Sequence, residues 1–394
     1  MTEQNSEQHT AAPKLIAFYL PQFHPVPEND QWWGAGFTEW INVTRAVPRF
    51  AGHYQPHLPA DTGFYDLRLP ETRQLQAELA GQYGISGFCY YHYWFNGQRL
   101  LERPFNDVLQ SGAPGFPFCL CWANENWTRK WDGKQEQILL QQTYLPQDDS
   151  THIQWLLRAF TDPRYINVDG KPLFLFYRAS KLPDIKRTAS LWREAAEKHG
   201  LPGLCLCGVQ SFPEEYVDPA TQGLDAVVEF RPNCADTPRL QKGVGWDILR
   251  ACRLAPRAYG TNCIYSYQKL IDYCLALPDF PYRRFPCVTP SWDNTARRAH
   301  AATIFKDANP SDYERWLEEV LRREISKRQH PSFVFINAWN EWAEGNHIEP
   351  CQKWGRSYLE ATRAALERVW GKPPRRSAER RVEDGHATEL SASH

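Results

Sequence analysis

Eight short apolar runs rich in β-branched and aromatic residues recur along the chain. They are LIAFYLPQF from Leu15, GISGFCYYHYW from Gly84, PFCLCWANENW from Pro117, PLFLFYR from Pro172, GLCLCGVQS from Gly203, LDAVVEFRP from Leu224, FPCVTPSWD from Phe285 and SFVFINAWNEW from Ser332. They are continuous rather than alternating, as strands covered on both faces should be. Amphipathic segments of helical period lie between most of them, among them LPETRQLQAELAGQYG, LWREAAEKHG and SDYERWLEEVLRREISKR; GRSYLEATRAALERVW follows the eighth run. Strands alternating with helices eight times over predict an α/β protein built as a (β/α)8 TIM barrel. A doubly wound open sheet is the competing arrangement, but no GxGxxG follows the first run and no P-loop lysine motif occurs.

The connections orient the barrel. Helix-to-strand links such as YGISG and HGLPG are short, whereas Pro21 to Leu69, Glu125 to Ser150 and Arg231 to about Tyr265 are long strand-to-helix links. In such barrels those loops form the catalytic face, so insertions there are what a substrate cleft requires. Polar residues also gather where the runs end: Gln22 and His24, His92, Asn124 and Glu125, Arg178, Gln210, Glu229 and Arg231, Asp293 and Asn294, then Asn340, Glu341 and Glu344. A single barrel domain is expected over residues 14–371, with a flexible start at 1–13 and a disordered tail at 372–394 carrying PPRRSAERR.

Composition narrows the partners. Forty-five basic residues against forty-six acidic ones give a formal charge of −1, so no global field draws the chain to nucleic acid or an anionic membrane surface. Aromatic residues make up 14% of the chain, and several stand beside Asn, Asp, Glu, His or Arg. That mixture suits a glycan, whose C–H faces stack on rings while its hydroxyls need hydrogen bonds; the plain alternative is that a large protein buries its aromatics. The first residues, MTEQNSEQHTAAPK, lack a signal-peptide pattern and no run is long enough to span a bilayer, so a cytoplasmic location is expected. The two CLC pairs, Cys119 with Cys121 and Cys205 with Cys207, read as free buried thiols rather than metal or redox sites. His53, His57 and His92 lack metal-site spacing, and no metal or other cofactor is expected.

The last run ends in two glutamates, Glu341 and Glu344, three residues apart. In a straight strand they would face opposite ways, and they converge only if the chain turns between them, which Ala343 and Gly345 allow. Paired carboxyls flanking a bond are the equipment of glycoside hydrolysis, one protonated as acid and one ionised as base or nucleophile. Trp339 and Trp342 beside them offer an apolar wall that raises a carboxyl pKa. The structural alternative is a pair favouring a helix start.

WNEWAEGNHIEP resembles the signature of glycoside hydrolase family 99, the endo-α-mannosidase and endomannanase family. More widely, LIAFYLPQFHPVPEND, WWGAGFTEW, HYQPHLPADTGFYDLRLPE, GFCYYHYWFNG, CLCWANENWTRKWDG, SWDNTARR and INAWNEWAEG are similar to the WbsX family, labelled glycosyltransferases and often encoded with polysaccharide biosynthesis genes. That resemblance covers nearly everything from Lys14 to Trp370; the family 99 match rests mainly on the terminal element and the barrel layout. It implies Glu344 as general acid/base and Glu341 as the residue that helps deprotonate the substrate's 2-hydroxyl, giving a 1,2-anhydro sugar and overall retention. Ala343 stands where family 99 mannosidases commonly have His, so one contact near the acid/base is missing.

Other candidates follow by position. His92, Asn124, Glu125, Asp132, Glu229, Asp293, Asn294 and Asn340 are candidate hydroxyl binders. Trp122, Trp127, Trp131, Trp292 and Trp339, with Trp32, Trp33 and Trp40, are candidate sugar-stacking platforms or loop core. Arg297 and Arg298 read either as a grip for a carboxylated or phosphorylated sugar or as a solvated helix start. Tyr54, Tyr91 and Tyr93 are left without a role. Three functional classes remain: a retaining glycoside hydrolase, a glycosyltransferase or transglycosylase in surface-polysaccharide assembly, and a carbohydrate-binding barrel without catalysis. No DxD or diphosphate pocket supports a nucleotide-sugar transferase, and a lectin would not need both glutamates.

Overall fold

Each of the eight apolar runs forms a strand, and these eight pair with one another in parallel. The computed structural model describes residues 12–128, 137–233, 248–249, 252, 257–327 and 331–371. Trp131, Asp132, the tail and all but Ala12 and Pro13 of the expected flexible start lie outside the described residues. The strands are β1 (Lys14–Tyr19), β2 (Ile85–Phe95), β3 (Phe118–Trp122), β4 (Lys171–Phe176), β5 (Cys205–Gln210), β6 (Ala226–Glu229), β7 in two pieces (Arg284–Phe285 and Cys287–Val288) and β8 (Phe333–Ile336). Pro286, which has no N–H to give a ladder, divides β7. The piece before it pairs with β6 and the piece after it with β8, while β8 pairs with β1. The ring of strands therefore closes through β7, as a (β/α)8 barrel requires.

Seven strands are followed by an α-helix: α1 (Pro70–Gln82), α2 (Arg103–Ser111), α3 (Asp148–Phe160), α4 (Ile185–Lys198), α5 (Tyr267–Ala276), α6 (Pro310–Ser326) and α7 (Ser357–Trp370). The helix after β5 is replaced by two 3-10 turns, Pro213–Glu215 and Pro219–Gln222. Local chemistry starts the helices. Asp184 caps α4 by accepting from the Arg187 N–H at 3.0 Å, Asn309 caps α6 through Asp312, and Pro opens α1 and α6, where a missing N–H costs nothing. None of the described helices is long and apolar enough to cross a membrane.

Rings fill the barrel. Phe18 of β1 meets Tyr91 of β2 at 5.7 Å, Phe335 of β8 at 5.5 Å and Phe230, just past β6, at 5.4 Å. Burying each such side chain contributes about 1.5–3 kcal/mol relative to exposure. Cys119 and Cys121 are free and buried beside them as small core residues. A second aromatic layer lies between the strands and helices α3 and α4, where Trp192 stacks on Phe176 at 5.3 Å. The long loops add structure of their own at the strands' carboxyl ends. The loop after β1 carries two short helices, Pro27–Trp33 and Glu39–Arg45, and a parallel ribbon of Cys263–Ser266 with Thr303–Lys306 ties the loop after β6 to the one after β7.

Candidate active site

The chain beyond β8 turns back on itself. Asn340–Glu341 pairs antiparallel with Asn346–His347, and between them Trp342–Glu344 make a 3-10 turn closed by Gly345 at φ 55°. Asn340 anchors this hairpin: its Oδ1 accepts from the Leu20 N–H at 2.7 Å and its Nδ2 donates to the Leu20 carbonyl at 3.0 Å. Glycine is needed at 345 for its left-handed conformation and for space, since a Cβ there would stand 3.0–3.2 Å from Asp293 atoms. The turn brings both glutamates to the same guanidinium.

That guanidinium is Arg297, at the end of the 3-10 turn Asn294–Ala296 after β7. Its Nη1 lies 2.7 Å from Glu344 Oε1, its Nη2 donates to Glu341 Oε2 at 3.0 Å and its Nε to Glu39 Oε1 at 2.7 Å. The Arg297 side chain is 10% exposed, Glu39 0%, Glu341 8% and Glu344 20%, so Glu344 is the most open of the acids. The second oxygen of Glu39 is buried without a hydrogen-bond partner. Three carboxyls thus share one largely buried cation, and burial of net negative charge favours keeping a proton among them. Burial pushes Glu341 up to about 8 and also raises Glu344, against the pull of Arg297 on both. Burial works against the Arg297 charge too, but Glu39, Glu344 and Glu341 hold it firmly protonated. Arg297 is therefore neither a solvated helix start nor a free grip for an anionic sugar: its fork is committed to the acids.

Behind the hairpin lies another buried carboxyl, Glu349. It accepts from the Tyr65 hydroxyl, Gln76 Nε2 and Trp342 Nε1, each at 2.7 Å, and burial raises it to about 7. Trp342 in turn stacks on His347 at 3.7 Å. Glu349 carried no signal in the sequence beyond its place in the motif.

Tyr91, Tyr93 and Tyr177 bring half-buried hydroxyl-bearing rings to the same end of the barrel. Burial raises all three, and the negative charge of Glu341 adds to this at Tyr91 and Tyr93, as do Glu125 and Glu344 at Tyr177. The half-buried Trp127 packs on Tyr93 at 5.1 Å and on Trp32 at 6.0 Å. Glu125 meets Arg178 at 2.5 Å, an arginine that also contacts Glu215 at 3.0 Å and Glu214 at 3.3 Å.

Several candidates stand elsewhere. His92 points out of the barrel, with its Nε2 2.9 Å from His152 Nε2 on α3 and its ring stacked on Trp155. Trp122 faces the same layer, stacked on Trp192. Glu229 is buried against Arg231 and Arg284 on the α5 side. These three are corrected from substrate contacts to packing and ion-pair residues, because each follows the outward phase of its strand. Trp339 is fully buried against Phe88, and Trp40 is loop core whose indole N–H donates to the Tyr65 carbonyl. Asn124 is bonded to the Arg178 backbone at 2.8 Å through both ends of its amide, and Asn294 Oδ1 accepts from the Thr303 N–H; both amides hold the loops. Trp292 and Asp293 line a separate chamber beside His53.

Comparison with known proteins gives these positions a context. The model of the family described as "Glycosyltransferase WbsX" matches residues 15–362. The protein WxcX of Xanthomonas campestris pv. campestris strain B100, described as uncharacterized, is 42% identical over 356 residues, which is 90% of this chain and 50% of that protein. The same holds for WxcX of strain ATCC 33913, so the chain spans about half the length of these relatives. Among solved structures, the family 99 endo-α-mannosidase of Bacteroides thetaiotaomicron superposes with a TM-score of 0.54 at 16% identity, covering 90% of this chain and 97% of that one. A glycoside hydrolase-like protein superposes equally well, with 91% and 95% covered. At such identity the likeness speaks to the barrel alone. The match over nearly the whole described barrel places the chain in the WbsX glycosyltransferase family.

Proposed function

We propose that this carbohydrate-active chain is a retaining glycoside hydrolase working through its substrate's own 2-hydroxyl. One observation carries the reading: Glu341 and Glu344 bind neighbouring nitrogens of a single buried guanidinium at the barrel mouth. Side-by-side carboxyls suit the retaining geometry, in which the two groups work about 5–5.5 Å apart. Glu344, the more open acid, protonates the departing glycosidic oxygen. Glu341 takes the 2-hydroxyl proton while that oxygen closes on C1, giving a 1,2-anhydro sugar. Glu344, now a carboxylate, then takes a proton from water as the water's oxygen opens the ring at C1, and Glu341 returns its proton to O2. Two inversions give retention. The raised Glu341 makes a stronger base when ionised, at the cost of a smaller ionised fraction at neutral pH.

The family's description favours a second reading, glycosyl transfer, in which an acceptor hydroxyl takes the place of water in the second step. The test is NMR of the protein with a panel of oligosaccharides and aryl α- and β-glycosides, beside Glu341→Gln and Glu344→Gln. Cleavage with retained configuration, lost in both variants, is the expected result. Consumption of a nucleotide sugar with an acceptor, and no cleavage, would overturn hydrolysis.

A further inference from the structure

A chamber of about 110 Å³ lies between the loops after β1, β7 and β8, its walls including Tyr54, His57, Trp292, Lys353, Trp354 and Tyr358. A buried water needs only about 10–15 Å³ on the same measure, so the space holds several waters or one sugar ring. It abuts the catalytic hairpin through Asp293, another wall residue, whose N–H donates to the Glu344 carbonyl at 2.6 Å.

The hydrogen-bonding capacity left open here is lopsided. Tyr358 is 5% exposed, and its hydroxyl has no partner; the buried indole N–H of Trp292 has none either. The Lys353 ammonium sits over the rings of Tyr54 and Trp354, at 4.6 and 4.7 Å, with no carboxylate within salt-bridge distance among the described residues. Asp293 is an anion whose oxygens are taken, Oδ2 by His53 Nε2 at 2.5 Å and Oδ1 by the N–H and hydroxyl of Thr295. His347 Nδ1 faces the Glu349 carbonyl at 3.1 Å, which only accepts, so that nitrogen carries the ring's proton. Its bare Nε2 then accepts from His57 Nδ1 at 3.1 Å, which leaves His57 Nε2 as an acceptor. Besides the Lys306–Asp307 ion pair in its wall, whose Asp307 side chain is 80% exposed, the chamber sets two orphaned donors and the Lys353 cation against the acceptor His57 Nε2, between aromatic faces, which fits a ring bearing a carboxylate and a hydroxyl.

We propose that this chamber is a subsite for a carboxylated sugar residue, its ring against Trp292 and Trp354 and its carboxylate held by Lys353, Trp292 Nε1 and the Tyr358 hydroxyl. The ligand class rests on the glycan-acting reading, but binding is measured without any cleavage. The probes are sodium D-glucuronate and D-glucose, followed by ligand-observed NMR with the full chain and with Lys353→Met, Tyr358→Phe and Glu344→Gln. Glucuronate binds at least about tenfold tighter than glucose, and Lys353→Met removes that preference, the loss expected for one charge-assisted hydrogen bond. Tyr358→Phe weakens glucuronate several-fold, and Glu344→Gln leaves it unchanged. Failure of glucuronate to bind, equal binding of glucose, or undiminished binding by Lys353→Met overturns the subsite. Binding by a chain that cleaves no glycoside sustains the subsite while overturning hydrolysis, so the two failures are separable.

Discussion

Replacing Glu341 with Gln should destroy activity and yet stabilise the fold, increasingly so as pH rises. Burial lifts this carboxyl from an ordinary 4.5 to about 8. Below 4.5 the group is protonated in both folded and unfolded chains and costs nothing. Between 4.5 and 8 the unfolded chain has released a proton that the folded chain still holds, so folded stability falls with each pH step, by about 1.4 kcal/mol per unit at most. Glutamine titrates nowhere in this range and escapes that loss. Because Glu344, Glu39 and Arg297 share the charge, we expect about 2–4 kcal/mol in favour of the variant at the top of the window, shrinking towards zero at its bottom. At about 2.1 cal/mol/K of unfolding entropy per residue, a domain of about 360 residues shifts by roughly 1.3 °C per kcal/mol, so the Tm gap reaches roughly 3–5 °C. Thermal unfolding of both proteins by circular dichroism across this window reads it directly. A gap that does not widen with pH, or a variant that melts lower than the parent at the alkaline end, refutes the account of Glu341 as a buried, proton-holding acid.

The same network governs the other predictions. Because burial raises both glutamates, the bell-shaped pH profile of kcat/KM on the cleaved glycoside should have both limbs above 4.5, as properties of the pair; a limb near 4.5 would mean that one glutamate is solvated. Arg297→Lys keeps a charge but loses the fork that reaches three acids, so urea unfolding should show a loss of about 3 kcal/mol and the limbs should move further up. Gly345→Ala combines a φ of 55° with a Cβ 3.0 Å from that of Asp293; a loss of about 1–3 kcal/mol in the same assay, with kcat falling as Glu344 shifts, is expected. Glu349→Gln leaves three converging donors with one acceptor oxygen and one competing amide, costing about 1–3 kcal/mol, read as a lower urea midpoint.

The strands were legible because a strand covered on both faces is a continuous apolar run, and for the same reason their phase was hidden. In GFCYYHYWF nothing in hydropathy separates Tyr91 and Tyr93, which face inward, from His92 and Trp94, which pack on His152 of α3. Counting polar residues at strand ends therefore gathered His92 and Glu229, and placing tryptophans by the side of the barrel gathered Trp122, towards a mouth they do not face. A stricter use of period two, counted from an inward residue such as Tyr91, assigns His92 to the outside.

The charge partner was hidden for a different reason. Arg297 stands 44 residues before Glu341 and 258 after Glu39, and no local pattern marks an arginine that will be buried. The neighbourhood, however, was implied by the strand count. In a closed ring of eight, β8 lies between β7 and β1, and the registers Ala17 with Ile336 and Val288 with Ile336 meet at a single residue of β8. The loop carrying Glu39 leaves β1, the loop carrying Arg297 leaves β7, and the hairpin carrying both glutamates leaves β8. All four charges are brought together only when the divided seventh strand closes the ring, so closure of the barrel and assembly of the acid cluster are one structural event.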